Sequence, residues 1–224
     1  MNAQQYEAWY DSSRGRWIGT TEYAILKGVL SPEPGASLLD VGCGTGHFTR
    51  LFASDMGGTV IGVDPIREWL DYAKTHSTKA EQYVSGIAEA LPFPEHAFDF
   101  TVSVTALCFI KRQEDALREI VRVTRKRFAL GLLNRHSILY RQKGRGGGAG
   151  AYRGAHWHTS AEIRRLLAAL PVTNIRLYSA ILLPDGTWMG RLLERIWPRR
   201  ILLGGFLVVT ADVIHGEGRA PDSP

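Results

Sequence analysis

The sequence predicts an α/β fold: seven strands in a mostly parallel sheet, with helices on both faces. Three observations carry that prediction. Apolar segments with strand spacing alternate with segments of helical spacing along most of the chain, the pattern of strands joined by helical crossovers. The first strand ends in three alternate glycines and then opens a helix, in Leu38-Leu39-Asp40-Val41-Gly42-Cys43-Gly44-Thr45-Gly46-His47. The chain has 224 residues, 45% hydrophobic and 22% charged, which suits one soluble globular domain with a substantial core.

Residues 2–30 read as one amphipathic helical region with aromatics at Tyr6, Trp9, Tyr10 and Trp17, broken by Ser31-Pro32-Glu33-Pro34-Gly35. The first strand is Ser37–Val41, followed by a helix over Phe48–Asp55 that Gly57-Gly58 ends. The second strand is Thr59–Val63. Pro65 suits the first position of the next helix, whose apolar residues Ile66, Trp69, Leu70 and Ala73 share one face. Strands follow at Glu81–Ser85 and Phe98–Val104, then a helix at Gln113–Thr124 and a strand at Arg127–Leu133. Thr159 and Glu162 form a capping-box pattern ahead of a helix carrying Ile163, Leu166, Leu167 and Leu170. A strand at Asn174–Ile181, a short basic helix at Met189–Ile196 and a strand at Gly205–Val213 complete a single domain over residues 1–214. Residues 215–224 are expected to form a disordered tail.

Composition excludes several classes. No apolar run is long enough to span a membrane and no secretory signal pattern is present, so the expected location is the cytoplasm. Cys43 and Cys108 are not expected to pair, and no Cys/His cluster has zinc spacing, so no metal is expected; His156 and His158 are the weak candidates. The net charge of +5 favours anionic partners only mildly. No recognition motif accompanies it, so nucleic acid is not an expected partner. The expected state is a monomer or homodimer. Helix 189–196 sets Leu192, Leu193, Ile196 and Trp197 beside Arg191, Arg195, Arg199 and Arg200. Its expected role is to cover the sheet, with peripheral contact to a membrane surface as the alternative.

The glycine loop points to a ligand. Glycine lets the backbone turn sharply and lets a ligand approach bare amides, which the next helix supplements with its free N–H groups. A dinucleotide fingerprint needs G-x-G-x-x-G, but the required positions hold His47 or Thr49. The pattern is G-x-G-x-G instead, preceded by an acidic residue within the strand.

That pattern resembles motif I of the class I S-adenosylmethionine (SAM) dependent methyltransferases. Gly86-Ile87-Ala88-Glu89-Ala90-Leu91-Pro92-Phe93 is similar to the adenine-holding segment of the type 11 and ubiquinone-biosynthesis-like branch, with Ile87 where an Asp is usual. Phe98–Leu107 resembles motif IV. The resemblance implies a Rossmann-like seven-stranded sheet with an antiparallel C-terminal strand, and SAM as cofactor. It implies cofactor contacts from Asp40, Gly42, Cys43, Gly44 and Gly46, and from Asp64, Pro65 and Ile66. It extends them to Ile87, Ala88 and Glu89, and to the carbonyls near Val104 and Thr105. Asp64 would accept from the ribose hydroxyls or cap the following helix; Asp40 would order the loop near the methionine part or brace it locally.

The acceptor side is less defined. Residues 1–30 form a helical lid or an ordinary amphipathic cover, with Tyr10 a catalytic candidate and Trp9 a substrate-side one. Arg16 either pairs with the SAM carboxylate or is solvated. Residues 135–159 form a long insertion after a strand end, the place for a binding loop. Asn134 and Tyr152 are substrate-side candidates and His136 a candidate proton acceptor, since imidazole titrates near neutrality. The expected function is methyl transfer from SAM to a small-molecule acceptor by in-line displacement. The rivals are a non-catalytic SAM-binding or scaffolding protein and a nicotinamide oxidoreductase, which the missing third glycine opposes.

Overall fold

The computed structural model describes residues 2–78 and 80–215. In chain order the elements are α1 Ala3–Asp11, α2 Ser13–Leu30, β1 Leu38–Val41, α3 His47–Met56, β2 Val60–Asp64, α4 Arg67–Thr75, β3 Glu81–Ser85 and β4 Phe98–Val104. Then come α5 Gln113–Val123, β5 Thr124–Leu133, α6 Ser160–Ala168, β6 Val172–Ala180, α7 Trp188–Ile196 and β7 Phe206–Val213. The strands form one sheet in the order β3-β2-β1-β4-β5-β7-β6. Six run in one direction and β7 opposes both its neighbours, so the expected antiparallel C-terminal strand is present.

Side chains alternate across a strand, so successive residues of β1 enter different cores. Leu38 packs with Leu26, Leu30, Phe52 and Phe206 under α2 and α3. Leu39 packs with Leu117, Ile120, Ile163 and Leu167 under α5 and α6. Both faces are thus sealed, and the strand ends are left to carry the site.

Several boundaries differ from the expected ones, each for a local reason. Residues 2–30 form two helices, because Ser12 ends α1 with its N–H on the Trp9 carbonyl and caps α2 by accepting from Gly15 N–H at 2.9 Å. Gly15 is required there, since a Cβ would lie 1.9 Å from the Trp9 carbonyl oxygen. Pro65 lies outside α4, which starts at Arg67. The basic run Arg125-Lys126-Arg127 lies within β5, not in a connection. Each of its cations has an acidic partner: Arg125 with Asp99 at 2.9 Å, Lys126 with Glu33 at 3.2 Å and Arg127 with Asp212 at 2.6 Å. His215, placed in the tail by sequence, reaches the Arg125 carbonyl and meets the His96 ring edge-on. The rest of that tail, 216–224, lies outside the described residues. No helix among the described residues is long and apolar enough to cross a membrane.

Candidate active site

β1 lies between β2 and β4, so the chain winds outward to β3 and then returns across the sheet to β4. Strand ends at such a reversal leave a crevice, the usual ligand position in open α/β sheets. The glycine loop lines it. Gly42 and Cys43 both donate to the Val63 carbonyl, at 2.7 and 3.0 Å. Gly42, Gly44 and Gly46 all have positive φ, at 76°, 55° and 80°. A Cβ on them would lie 2.2 Å from Ala106 Cβ, 2.9 Å from the Trp69 ring and 2.4 Å from the Tyr83 hydroxyl. Space and conformation both demand glycine here.

Asp64 braces this loop. One carboxylate oxygen accepts from Gly44 N–H at 2.9 Å and the other from Ile66 N–H at 2.8 Å. The second bond spans two residues and closes an Asx turn; it does not cap α4, whose N-cap is Ile66. Each carboxylate oxygen keeps a lone pair for a further donor. Burial raises the Asp64 pKa, and these two N–H groups oppose the shift. Asp40 is buried and accepts from Thr49 Oγ1 at 2.7 Å, tying β1 to α3. Burial, with the nearby Asp64 charge, pushes its pKa up to about 7. Burial also pushes the Cys43 thiol up, so it is a packing residue and not a reactive thiolate.

Two exposed isoleucines flank the cradle: Ile66 after β2 and Ile87 after β3, each more than 40% exposed. Pro65 is exposed beside Ile66, Ala88 is buried and Glu89 is half-buried without a hydrogen bond. Across the crevice Thr105 turns left-handed at φ 59°. Its carbonyl accepts from Cys108 N–H at 3.1 Å, which leaves Val104 as the better-placed carbonyl for an incoming donor.

The N-terminal helix sits over this cradle, held by residues that sequence reasoning missed. Glu7 accepts from Thr45 Oγ1 at 2.6 Å and pairs with Arg50 at 2.5 Å and His47 at 3.4 Å. Tyr6 lies against Trp69 with centroids 5.1 Å apart, and Trp69 covers Gly44. Tyr10 stacks on His47 at 3.6 Å and shares a 3.3 Å hydroxyl contact with Tyr6. Burial raises both phenols, Tyr6 to about 12. Tyr10, the catalytic candidate, therefore stays protonated near neutrality and packs α1 against His47 of α3. Trp9 packs with the core beneath α2, which favours the amphipathic-cover reading for that residue.

Glu22 is the other missed residue. It is half-buried on α2, three residues after Gly19, whose position meets the Tyr10 ring and His47. It makes no hydrogen bond or ion pair, and burial pushes its pKa up to about 8. Its charge acts on the phenols of Tyr6, Tyr10 and Tyr152. Tyr152, expected on the substrate side, packs against the core cluster around Trp157, with ring centroids 5.5 Å apart.

Three other expected residues do other work. Arg16 is exposed and donates to the Asp11 carbonyl at the α1–α2 corner. Asn134 is buried with its polar atoms committed: it donates to the Leu202 and Gly204 carbonyls and accepts from His136 N–H. It fastens the end of β5 to the loop before β7. His136 is exposed and its ring makes no hydrogen bond, so nothing orients it for proton transfer.

His156 pairs with Glu162 at 2.6 Å, and buried His158 meets Gln113 at 3.1 Å and Cys108 Sγ at 3.8 Å. Burial lowers the His158 pKa from 6.5 to about 4. Between those values the folded chain holds fewer protons than the unfolded one, so this group's stabilisation is lost as pH falls from 6.5 to 4. The full loss is about 3 kcal/mol. Asp40 and Glu22, with raised values, act in the opposite sense as pH falls from about 8. Their contribution is common to the wild type and His158→Gln, so comparing the two isolates the histidine. Thermal melts at pH 7.5 and 4.5 should show a smaller drop for the variant.

A sheet of this order, with six strands aligned and the seventh reversed, and with a glycine loop after the first strand, is the fold of the class I SAM-dependent methyltransferases. Residues 39–129 match the family described as methyltransferase domain. An uncharacterised protein of Mycobacterium tuberculosis is 32% identical over 174 residues, which cover 75% of this chain and 57% of the relative. This chain thus spans little more than half the length of that relative. The malonyl-[acyl-carrier protein] O-methyltransferase of Serratia marcescens is 37% identical over 100 residues, 45% of this chain and 38% of that one. Among solved structures, a SAM-dependent methyltransferase of Thermotoga maritima, described as a possible histamine N-methyltransferase, superposes with a TM-score of 0.73. It is 22% identical, and the match covers 93% of this chain and 94% of that one.

Proposed function

We propose that this chain is an enzyme that binds SAM in the glycine cradle and moves its methyl group to a small-molecule acceptor by in-line displacement. The observation that carries the reading is the Asp64 carboxylate. It is fixed by two backbone N–H groups beside three glycines that no side chain could replace. The residues fit the cofactor: Asp64 offers free lone pairs to ribose hydroxyls, and Ile66 and Ile87 offer apolar surface to a purine. The Val104 carbonyl would face the amino group. When bound, SAM supplies an activated methyl on a sulfonium. The protein's part is then alignment and exclusion of water, which the α1 lid provides.

Where the acceptor carries a proton, Glu22 is the group in this reading that takes it. It is a carboxyl on α2 without a partner, three residues after Gly19, whose position meets Tyr10 and His47. With its pKa raised to about 8, only its ionised fraction accepts, so the rate should rise with pH up to that value. The free cysteines fit a reducing, cytoplasmic setting. The test is incubation with methyl-labelled SAM and a metabolite panel. Label should move to an acceptor with formation of S-adenosylhomocysteine. Glu22→Gln should lower kcat while leaving SAM affinity unchanged. SAM binding without turnover on any acceptor would favour the non-catalytic alternative.

A further inference from the structure

Helix α7 is inside out. Its inward side holds Gly190 and Glu194, both buried. Glu194 accepts from Leu182 N–H at 3.0 Å and pairs with Arg199. Its outward side holds Trp188, Met189, Leu192 and Ile196, with Trp188 74% and Ile196 70% exposed. These positions lie on one helical face. Ile201 and Leu203, a few residues past the helix end, are exposed as well. A surface helix in a globular protein shows the opposite arrangement.

The helix is also held rigidly. Thr187 caps it, and Arg191 donates to the Gly186 carbonyl and to Ser13, with its guanidinium over the Trp17 ring. Arg14 reaches back from α2 to the Pro184 carbonyl at 2.6 Å. The apolar strip is thus presented by a fixed scaffold, beside the α1–α2 corner.

Charge decides what covers the strip. Between Gly186 and Gly204 the chain carries Arg191, Arg195, Arg199 and Arg200, while its one acid, Glu194, is buried. Arg195 and Arg200 are exposed. A second copy docked across a twofold axis would set these cations against themselves. An anionic bilayer surface satisfies both features: acyl chains take Trp188, Leu192 and Ile196, and headgroup phosphates take the arginines. We propose that α7 docks the protein, in the plane of the interface, on an anionic lipid surface. The docking goes beyond methyl transfer and needs no bound cofactor.

The test is co-sedimentation of the whole chain, without SAM, with vesicles of phosphatidylglycerol in phosphatidylcholine and of phosphatidylcholine alone. Binding should require the anionic lipid and weaken as salt rises. The double variant Trp188→Glu, Ile196→Glu should lose about tenfold or more in vesicle affinity. Arg195→Glu with Arg200→Glu should lose binding while leaving the apolar strip intact. All four side chains are exposed, and far-UV circular dichroism checks that the variants fold. Wild type that stays in the supernatant, or variants that bind equally well, would overturn the proposal. So would a Trp188-dependent dimer in sedimentation velocity, which would assign the strip to a second copy.

Discussion

Asp64→Ala should weaken SAM and S-adenosylhomocysteine binding about tenfold to a hundredfold, from loss of charge-assisted hydrogen bonds at about 1.5–3 kcal/mol. The structure adds a reason to expect the upper part of that range. The same carboxylate holds Gly44 N–H at 2.9 Å and Ile66 N–H at 2.8 Å, so the cradle loses its brace as well as its ribose acceptor. Asp64→Asn separates the two roles. Its one carbonyl oxygen can keep one of the N–H bonds, but the negative charge is gone. If Asn restores thermal stability without restoring affinity, the charge acts on the ligand. Calorimetric titration of both variants reads the difference.

Gly42→Ala should do the most damage to fold and site together. Its φ of 76° is a left-handed conformation, and its Cβ would lie 2.2 Å from Ala106 Cβ. Left-handed strain costs about 1–2 kcal/mol and overpacking about 1–3 kcal/mol. Together, about 2–5 kcal/mol, they are a large share of a stability of about 5–15 kcal/mol. At about 2–4 °C per kcal/mol the melting temperature should fall by roughly 10 °C, with SAM binding lost. Gly57→Ala is the control. It has a φ of 65° but open space around the new methyl, so it should cost only the backbone strain and leave SAM affinity intact. Equal melting temperatures for the two variants would remove the steric argument for the cradle.

The alternation of strands and helices was readable because buried strands and amphipathic helices leave different periods. The loop at Gly42–Gly46 was readable because its requirement is for absent side chains. What escaped is what tertiary contact decides. Ser12 is acceptable inside a helix, and only the approach of Gly15 to the Trp9 carbonyl shows that it ends one helix and caps another. Glu7 is one charge on an amphipathic helix until Thr45, His47 and Arg50 close around it. Glu22 gave no local signal, because its burial is decided by other segments: Gly19, three residues before it, meets Tyr10 of α1 and His47 of α3. Asn134 and His136 follow a strand end, where site residues often lie, yet one is a structural clamp and the other faces solvent. The sequence of α7 showed a short basic helix with apolar residues beside arginines, expected to cover the sheet. It could not say that Leu192 and Ile196 turn outward, because that depends on the buried Glu194.

The most direct test of the central claim is calorimetric titration of the wild-type chain with SAM, run beside NADH. The cradle predicts one SAM site with a Kd in the micromolar range, about −8 kcal/mol, and no heat from NADH. A folded chain that takes up NADH, or that shows no SAM binding at millimolar ligand, would contradict it.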